Sequence, residues 1–396
     1  MTMKEEQKIP AGYKSSPVGP IPEDWEVKKL GEVCPLQRGF DLPSDKLIPG
    51  EYPVVYSNGI LNYHNTNMVK GPGVVTGRSG TIGKVTYIAN DFWPHNTSLW
   101  VTSFNGNDVR YIFYLLQSLN LSKYASGSGV PTLNRNDLHI QKIAIPKLLE
   151  QRKIAEILGT WDKAIELQTV LIEKLTLRKK GLMQQLLTGK KRLKGFSEPW
   201  KSITMRDVFE QVTEKNDGGG HMPMTISAKM GLVSQERKFE RVVAGNSLAN
   251  YTLIKEGDFA YNKGNSNLYE MGCIYRLNAP SAVVPFVYIC FRSKNETLID
   301  GNFYQYFFAN HGIDQQLKKI ITSGARGDGL LNVDCKDFFL LQIPYPSYKE
   351  QCSIAQILTT VDQEIEKEKQ KLEALKQQKK GLMQQLLTGK KRAIIK

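Results

Sequence analysis

Between residues 150 and 186 the apolar positions recur at alternating spacings of four and three: Ile154, Leu158, Trp161 and Ile165, then Ile172, Leu175, Leu182 and Leu186. That rhythm is an a/d heptad seam and predicts one long amphipathic helix. Residues 350–386 repeat it with Ile354, Leu358, Val361, Ile365, Leu372, Leu375, Leu382 and Leu386. Both seams break at matching places, Gln168 and Lys179 in the first, Glu368 and Lys379 in the second. Pro146 and Pro346 mark the starts, and Gly189 and Gly389 stand where C-caps belong. Each helix would hold ~40 residues and measure ~60 Å at 1.5 Å per residue. Such a seam needs a partner. The two copies can pair with each other antiparallel, pack separately on their own domains, or dimerise between chains.

The copies are close to literal. KKGLMQQLLTGKKR occupies both residues 179–192 and residues 379–392, an offset of 200. Upstream, EQRKIAEILGTWDKAIE answers EQCSIAQILTTVDQEIE at the same offset. A weaker echo opens each half, EDWEVKKLGEV around Trp25 and EPWKSITMRDV around Trp200. The inserts between, about 33–145 and 208–345, differ almost throughout, and the second is longer. The expected fold class is α+β: two mixed α/β domains, 1–146 and 193–345, separated by two long helices, 147–192 and 346–396. The helices are expected to form an antiparallel coiled coil within a pseudo-two-fold internal repeat.

Within the inserts, β-branched runs around Gly-rich turns predict strands at 73–88 and 255–277, and residues 109–119 and 302–312 read as helices. Residues 124–138 read as a loop before a final strand, and residues 321–344 as its counterpart. These loops carry donors suited to DNA. In the first half they are Arg78, Ser79, Thr81, Lys84, His95, Asn96, Thr97, Ser126, Ser128, Thr132, Asn134 and Arg135. In the second they are Lys263, Asn265, Ser266, Arg326, Asp328 and Asn332. Arg and Asn can bond base edges in pairs, whereas Lys, Ser, Thr and glycine amides fasten phosphates. For any one of them a solvated loop residue is the commoner state, so the set carries more weight than its members.

Charge agrees. The net charge of +14 and a pI near 9.3 favour a polyanionic partner. A mean hydropathy of −0.35, and no apolar stretch of the ~18 residues a span needs, speak against a membrane protein. Residues 1–10 lack the apolar run of a signal peptide. The five cysteines, Cys34, Cys273, Cys290, Cys335 and Cys352, form no C-x-x-C pair, which fits a reducing cytoplasm better than a disulfide or zinc framework. Catalytic patterns fail on inspection. GRSGTIGK at 77–84 lacks phosphate-loop spacing and is followed by Val85. There is no G-x-S-x-G, no H-E-x-x-H, no His/Cys cluster, and no Pro-Pro such as an adenine methyltransferase motif requires. No catalytic, cofactor or metal site is expected in this chain.

Together, KSSPVGPIPEDWEVKKLGEV, the paired helix starts, the paired KKGLMQQLLTGKKR ends and the GFSEPW re-entry resemble the specificity subunit of type I restriction–modification enzymes. The resemblance covers the whole chain in order. It implies that each insert reads one half of a split, asymmetric double-stranded DNA site. It further implies that the helices act as spacer and docking surface for two adenine methyltransferase subunits. S-adenosylmethionine, ATP and Mg would belong to those partners and to added restriction subunits, in the cytoplasm. The alternatives are the specificity part of a system that cuts on both sides of its site, a coiled-coil adaptor with nonspecific nucleic-acid binding, or an enzyme with an unrecognised site.

Overall fold

The computed structural model describes residues 9–127, 131–243, 245–264, 269–321 and 331–393. The chain divides into two compact units, Met1–Val170 with Gln370–Lys396, and Leu171–Lys369. Each unit therefore holds one insert domain, the start of one long helix and the end of the other.

In the first unit a four-stranded antiparallel sheet runs Leu36–Arg38, Ser98–Val101, Gly73–Gly77, Val85–Ile88. Gly73–Gly77 is buried along its whole length, which is why it reads as an unbroken small and apolar run instead of an alternating one. A second sheet, Gly59–His64, Tyr52–Tyr56 and Trp93–Pro94, lies beside it. The helix Val109–Ser118 buries Tyr111, Ile112, Leu115 and Leu116 in the core, and Asp108 caps it by accepting from the Tyr111 N–H at 2.9 Å. Strand Glu26–Lys29 pairs with Lys142–Ile145, which brings Trp25 beside the start of the first long helix.

The second unit repeats the frame as Phe209–Val212, Ile289–Ser293, Phe259–Asn262, Cys273–Arg276, with helix Gly301–Ala309 capped by Asp300. Lys201–Thr204 pairs with Gln342–Tyr345 as in the first unit. Its core is aromatic where the other is largely aliphatic. Phe259 and Phe291 stack at 5.1 Å, with Phe209, Tyr304 and Phe308 edge-on or tilted around them. One frame thus accepts two packings.

The predicted strands and helices occur near where the patterns placed them, but helix 302–312 ends at Ala309 and the long helices end at Leu186 and Leu386, short of 192 and 396. Residues 124–138 are not a plain loop but a small hairpin, Ala125–Ser126 with Thr132–Leu133, followed by helix Arg135–His139. Asn134 caps that helix, accepting from the Asn136 N–H at 3.0 Å, and Asp334 does the same for Cys335–Phe339. An Asn or Asp ahead of a short polar stretch is a helix-start signal that the loop reading passed over.

The long helices are Leu148–Leu186 and Tyr348–Leu386. Every seam residue is buried or half-buried. In the first unit Ile154, Ala155 and Leu158 share a core with Leu386 and Leu387. In the second, Ile354, Ala355 and Leu358 share one with Leu186 and Leu187, and Leu175 packs with Val361 and Ile365. Gly189 and Gly389 take φ of +69° and +73°, the left-handed turn that ends each helix.

The repeated polar residues hold the corners of this frame. Glu150, almost wholly buried, accepts from Trp25 Nε1 at 3.0 Å and from the Arg392 fork at 2.8 Å twice. Glu350 accepts from Trp200 Nε1 at 2.9 Å and from Arg192 at 2.8 Å twice. Gln151 and Gln351 each accept from the backbone N–H of the capping Asp (Asp108, Asp300) and donate to the carbonyl of the preceding proline. The repeated Trp, Pro, Glu-Gln and closing Arg are one interlocked joint, made twice.

Candidate nucleic-acid interface

In the first unit several loops meet at one rim of the insert domain. The turn after Gly73–Gly77 closes so tightly that a Cβ on Gly77 would lie 1.8 Å from the Thr81 carbonyl oxygen, so only glycine fits. Arg78 and Ser79 donate their N–H groups to the Thr97 carbonyl at 2.9 and 3.1 Å, and Leu133 donates to the Arg78 carbonyl at 2.8 Å. Ser79 also bridges to Thr132. The Lys84 ammonium donates to the Asn58 carbonyl, and the Ser57 N–H reaches Thr97 Oγ1 at 3.3 Å. His95 Nδ1 lies 3.0 Å from Thr97 Oγ1, and its ring packs on Tyr56 at 4.2 Å. Burial holds the His95 imidazole below its ordinary pKa, so it is neutral at neutral pH.

The rim gathers Arg78, Ser79, Thr81, Lys84, His95, Asn96, Thr97 and Thr132 from segments up to 54 positions apart. Ser126 sits exposed on the hairpin opposite Thr132. Asn134 and Arg135 depart from this group. They open the helix that packs on Leu30–Val33 and Leu36–Arg38, and the Asn134 side chain is occupied as a cap. Ser128 lies outside the described residues.

The second unit keeps the same link, Leu331 N–H to Lys263 carbonyl at 2.8 Å, where the first has Leu133 to Arg78. Asn332 follows, exposed. Asn265, Ser266, Arg326 and Asp328 lie outside the described residues. Sequence reasoning missed the hairpin tip Tyr56–Gly59, although Asn58-Gly59 between apolar runs is a strong hairpin signal. It also missed Arg38 and Asp41, which flank the 94–98 turn. In the second unit it missed Phe286, 58% exposed in the corresponding turn.

Chemically the rim offers donors, acceptors and positive charge. All five cysteines are free thiols, and burial pushes Cys34 and Cys290 up to about 12. Among the described residues no cluster of His, Cys, Asp or Glu is arranged to hold a metal ion, and no helix is long and apolar enough to cross a membrane. His221 lies 2.7 Å from Ser281 Oγ and 2.9 Å from Asp217, a brace that fastens the 217–221 loop to strand Ser281–Val284.

The family model for the type I restriction modification DNA specificity domain matches residues 22–177 and again residues 197–377. The chain belongs to the type I restriction–modification specificity family. Its two insert domains are therefore DNA specificity domains, and the function of the family is DNA sequence recognition. Relatives of this specificity subunit include the putative type I restriction enzyme MjaX specificity subunit of Methanocaldococcus jannaschii, 26% identical with 96% of each chain covered. The EcoKI specificity subunit of Escherichia coli is 21% identical over 85% of this chain and 82% of its own. The fold is that of the type I S subunit from M. genitalium, with a TM-score of 0.57, 16% identity, and 92% and 96% of the two chains covered. A chain from a structure of the assembling type I R-M system gives 0.58 at 13% identity, with 93% and 99% covered.

Proposed function

We propose that this specificity subunit reads a bipartite, asymmetric DNA site, one half with each insert domain, and that the chemistry is done by its partners. The observation that carries the reading is one frame made twice with two different rims. A reader built of two unlike halves suits a non-palindromic site, whereas identical readers would suit a palindrome. Rim residues Arg78, Ser79, Thr81, Lys84, His95, Asn96, Thr97, Ser126 and Thr132, with Lys263 and Asn332 in the other unit, are the proposed DNA contacts.

The long helices, in this reading, form an antiparallel coiled coil that sets the gap between half-sites and docks two adenine methyltransferase subunits. Support comes from the helix ends, since each unit packs the end of one helix on the start of the other. S-adenosylmethionine, ATP and Mg act on the methyltransferase and restriction subunits.

The test is methylome sequencing of a host carrying this chain with its methyltransferase, beside an assay of the purified chain alone. A two-part adenine-methylated motif, with no methylation or cleavage by the chain alone, is the expected result. Methylation by the isolated chain, or a palindromic motif, would overturn the reading.

A further inference from the structure

Beside the rim of the first unit, Asp41 Oδ1 holds two side chains at once. Arg38 Nη2 lies 3.1 Å from it, and the Asn96 amide donates to the same oxygen. The backbone beneath is clamped: Phe40 N–H donates to the Pro94 carbonyl at 2.8 Å and Gly39 N–H to the Ser98 carbonyl at 3.1 Å. A Cβ on Gly39 would lie 2.2 Å from the His95 carbonyl oxygen, so the two segments touch through bare backbone. Arg38 and Asp41 are themselves 52% and 68% exposed.

An ion pair that open adds little to stability. What it fixes is direction. With one Nη2 hydrogen committed to Asp41, Arg38, half exposed, keeps its other donors for a ligand, and a guanidinium edge matches O6 and N7 of guanine. With one amide hydrogen committed, Asn96 keeps its carbonyl and its second N–H, the pair that matches N6 and N7 of adenine. The Asp41 charge also disfavours phosphate here, since it offsets Arg38 and repels an anion. Arg78 differs, having no acidic partner among the described residues, and suits the DNA backbone better.

We infer that Arg38 and Asn96 are base-reading residues of the first domain, Arg38 for guanine and Asn96 for adenine, with Asp41 as their positioning residue. The inference rests on the DNA-reading function proposed above and names where in one half-site it acts.

The experiment is methylome sequencing of hosts carrying the methyltransferase with wild-type chain, Arg38→Ala, Asn96→Ala, Asp41→Ala or Asp41→Asn. Arg38→Ala relaxes one guanine position, with discrimination falling about 5- to 150-fold, and Asn96→Ala relaxes one adenine position likewise. Asp41→Ala blurs both, whereas Asp41→Asn, which keeps an oxygen acceptor, retains more of the preference. The other half-site stays as in wild type, which shows that the variant is folded. Filter binding of Arg38→Ala keeps the wild-type salt slope, because no phosphate contact is lost. An unchanged motif in all variants, or a uniform loss of methylation with the motif intact, overturns the inference. If the wild-type chain yields no two-part motif, it is the DNA-reading function itself that fails.

Discussion

The Lys379 ammonium sits 2.5 Å from the Asp162 carboxylate, joining the end of the second long helix to the start of the first within one unit. Tyr114 O–H donates to the same carboxylate at 2.6 Å, and the ammonium lies 5.1 Å from the centre of the Tyr114 ring. Lys179, Asp362 and Tyr306 reproduce this knot in the other unit, at 2.6 Å, 2.8 Å and 5.2 Å. Both lysines are among the residues that interrupt the heptad seam. A polar residue inside a seam costs stability and fixes register, because a slipped pairing strands the charge.

Lys379→Ala should therefore destabilise the first unit by about 1–3 kcal/mol, the cost of leaving a half-buried acceptor with one donor fewer. Urea unfolding of Lys379→Ala, Asp162→Ala and the double variant measures the coupling, expected at about 0.5–3 kcal/mol. Additive single effects would show that the contact fixes nothing.

Removal of Arg392 should cost more. Glu150 is 1% exposed, and Arg392→Ala leaves that carboxylate with Trp25 as its main donor, a loss of about 3–5 kcal/mol. Arg192→Ala strips Glu350 in the same way. Arg392 also holds Asp24 at 2.8 Å through two hydrogen bonds, which keep that carboxyl below its usual range, and Pro199 stands at the corresponding place in the other half. The Arg392 variant should consequently be the less stable of the two in urea titrations.

Acid should weaken the first domain before the second. His139 Nε2 accepts from the Leu36 N–H at 2.8 Å, which requires that nitrogen unprotonated. Burial, reinforced by Arg135, holds its pKa below the ordinary value. The unfolded chain thus takes up the proton first, so this contribution is complete above about pH 6.5 and is lost as pH falls through the folded pKa. Phe339 occupies the same place in the second copy, edge-on to Phe291. Melting curves from pH 8 to 5 should flatten in His139→Gln. An unchanged slope would remove His139 as the cause.

Lys84→Ala should weaken binding evenly on cognate and unrelated duplexes and reduce the salt slope by about 1, as loss of one phosphate contact does. Titration at several salt concentrations separates this from a base contact, whose loss leaves the slope intact and lowers preference for the cognate duplex.

The sequence by itself determined the two long helices, because seam spacing, starting prolines and closing glycines are local and occur twice. It also placed the strand pairs at 73–88 and 255–277, since β-branched runs and glycine turns are short-range signals, but not the order of the strands in either sheet. The hairpin and helix at 125–139 were legible in principle from Asn134, yet a polar run there also suits a loop. What only the tertiary structure decided is which copy meets which. Glu150 has Arg192 42 positions away and Arg392 242 away, and it bonds the distant one. A straight helix cannot bring its own end back to its start, so the joint must be completed by the other copy. The grouping of Arg38 and Asp41 with Asn96, itself a candidate from the sequence, was invisible for a related reason. Their meeting depends on two backbone segments pressed together at Gly39, and no periodicity in the chain records such a contact.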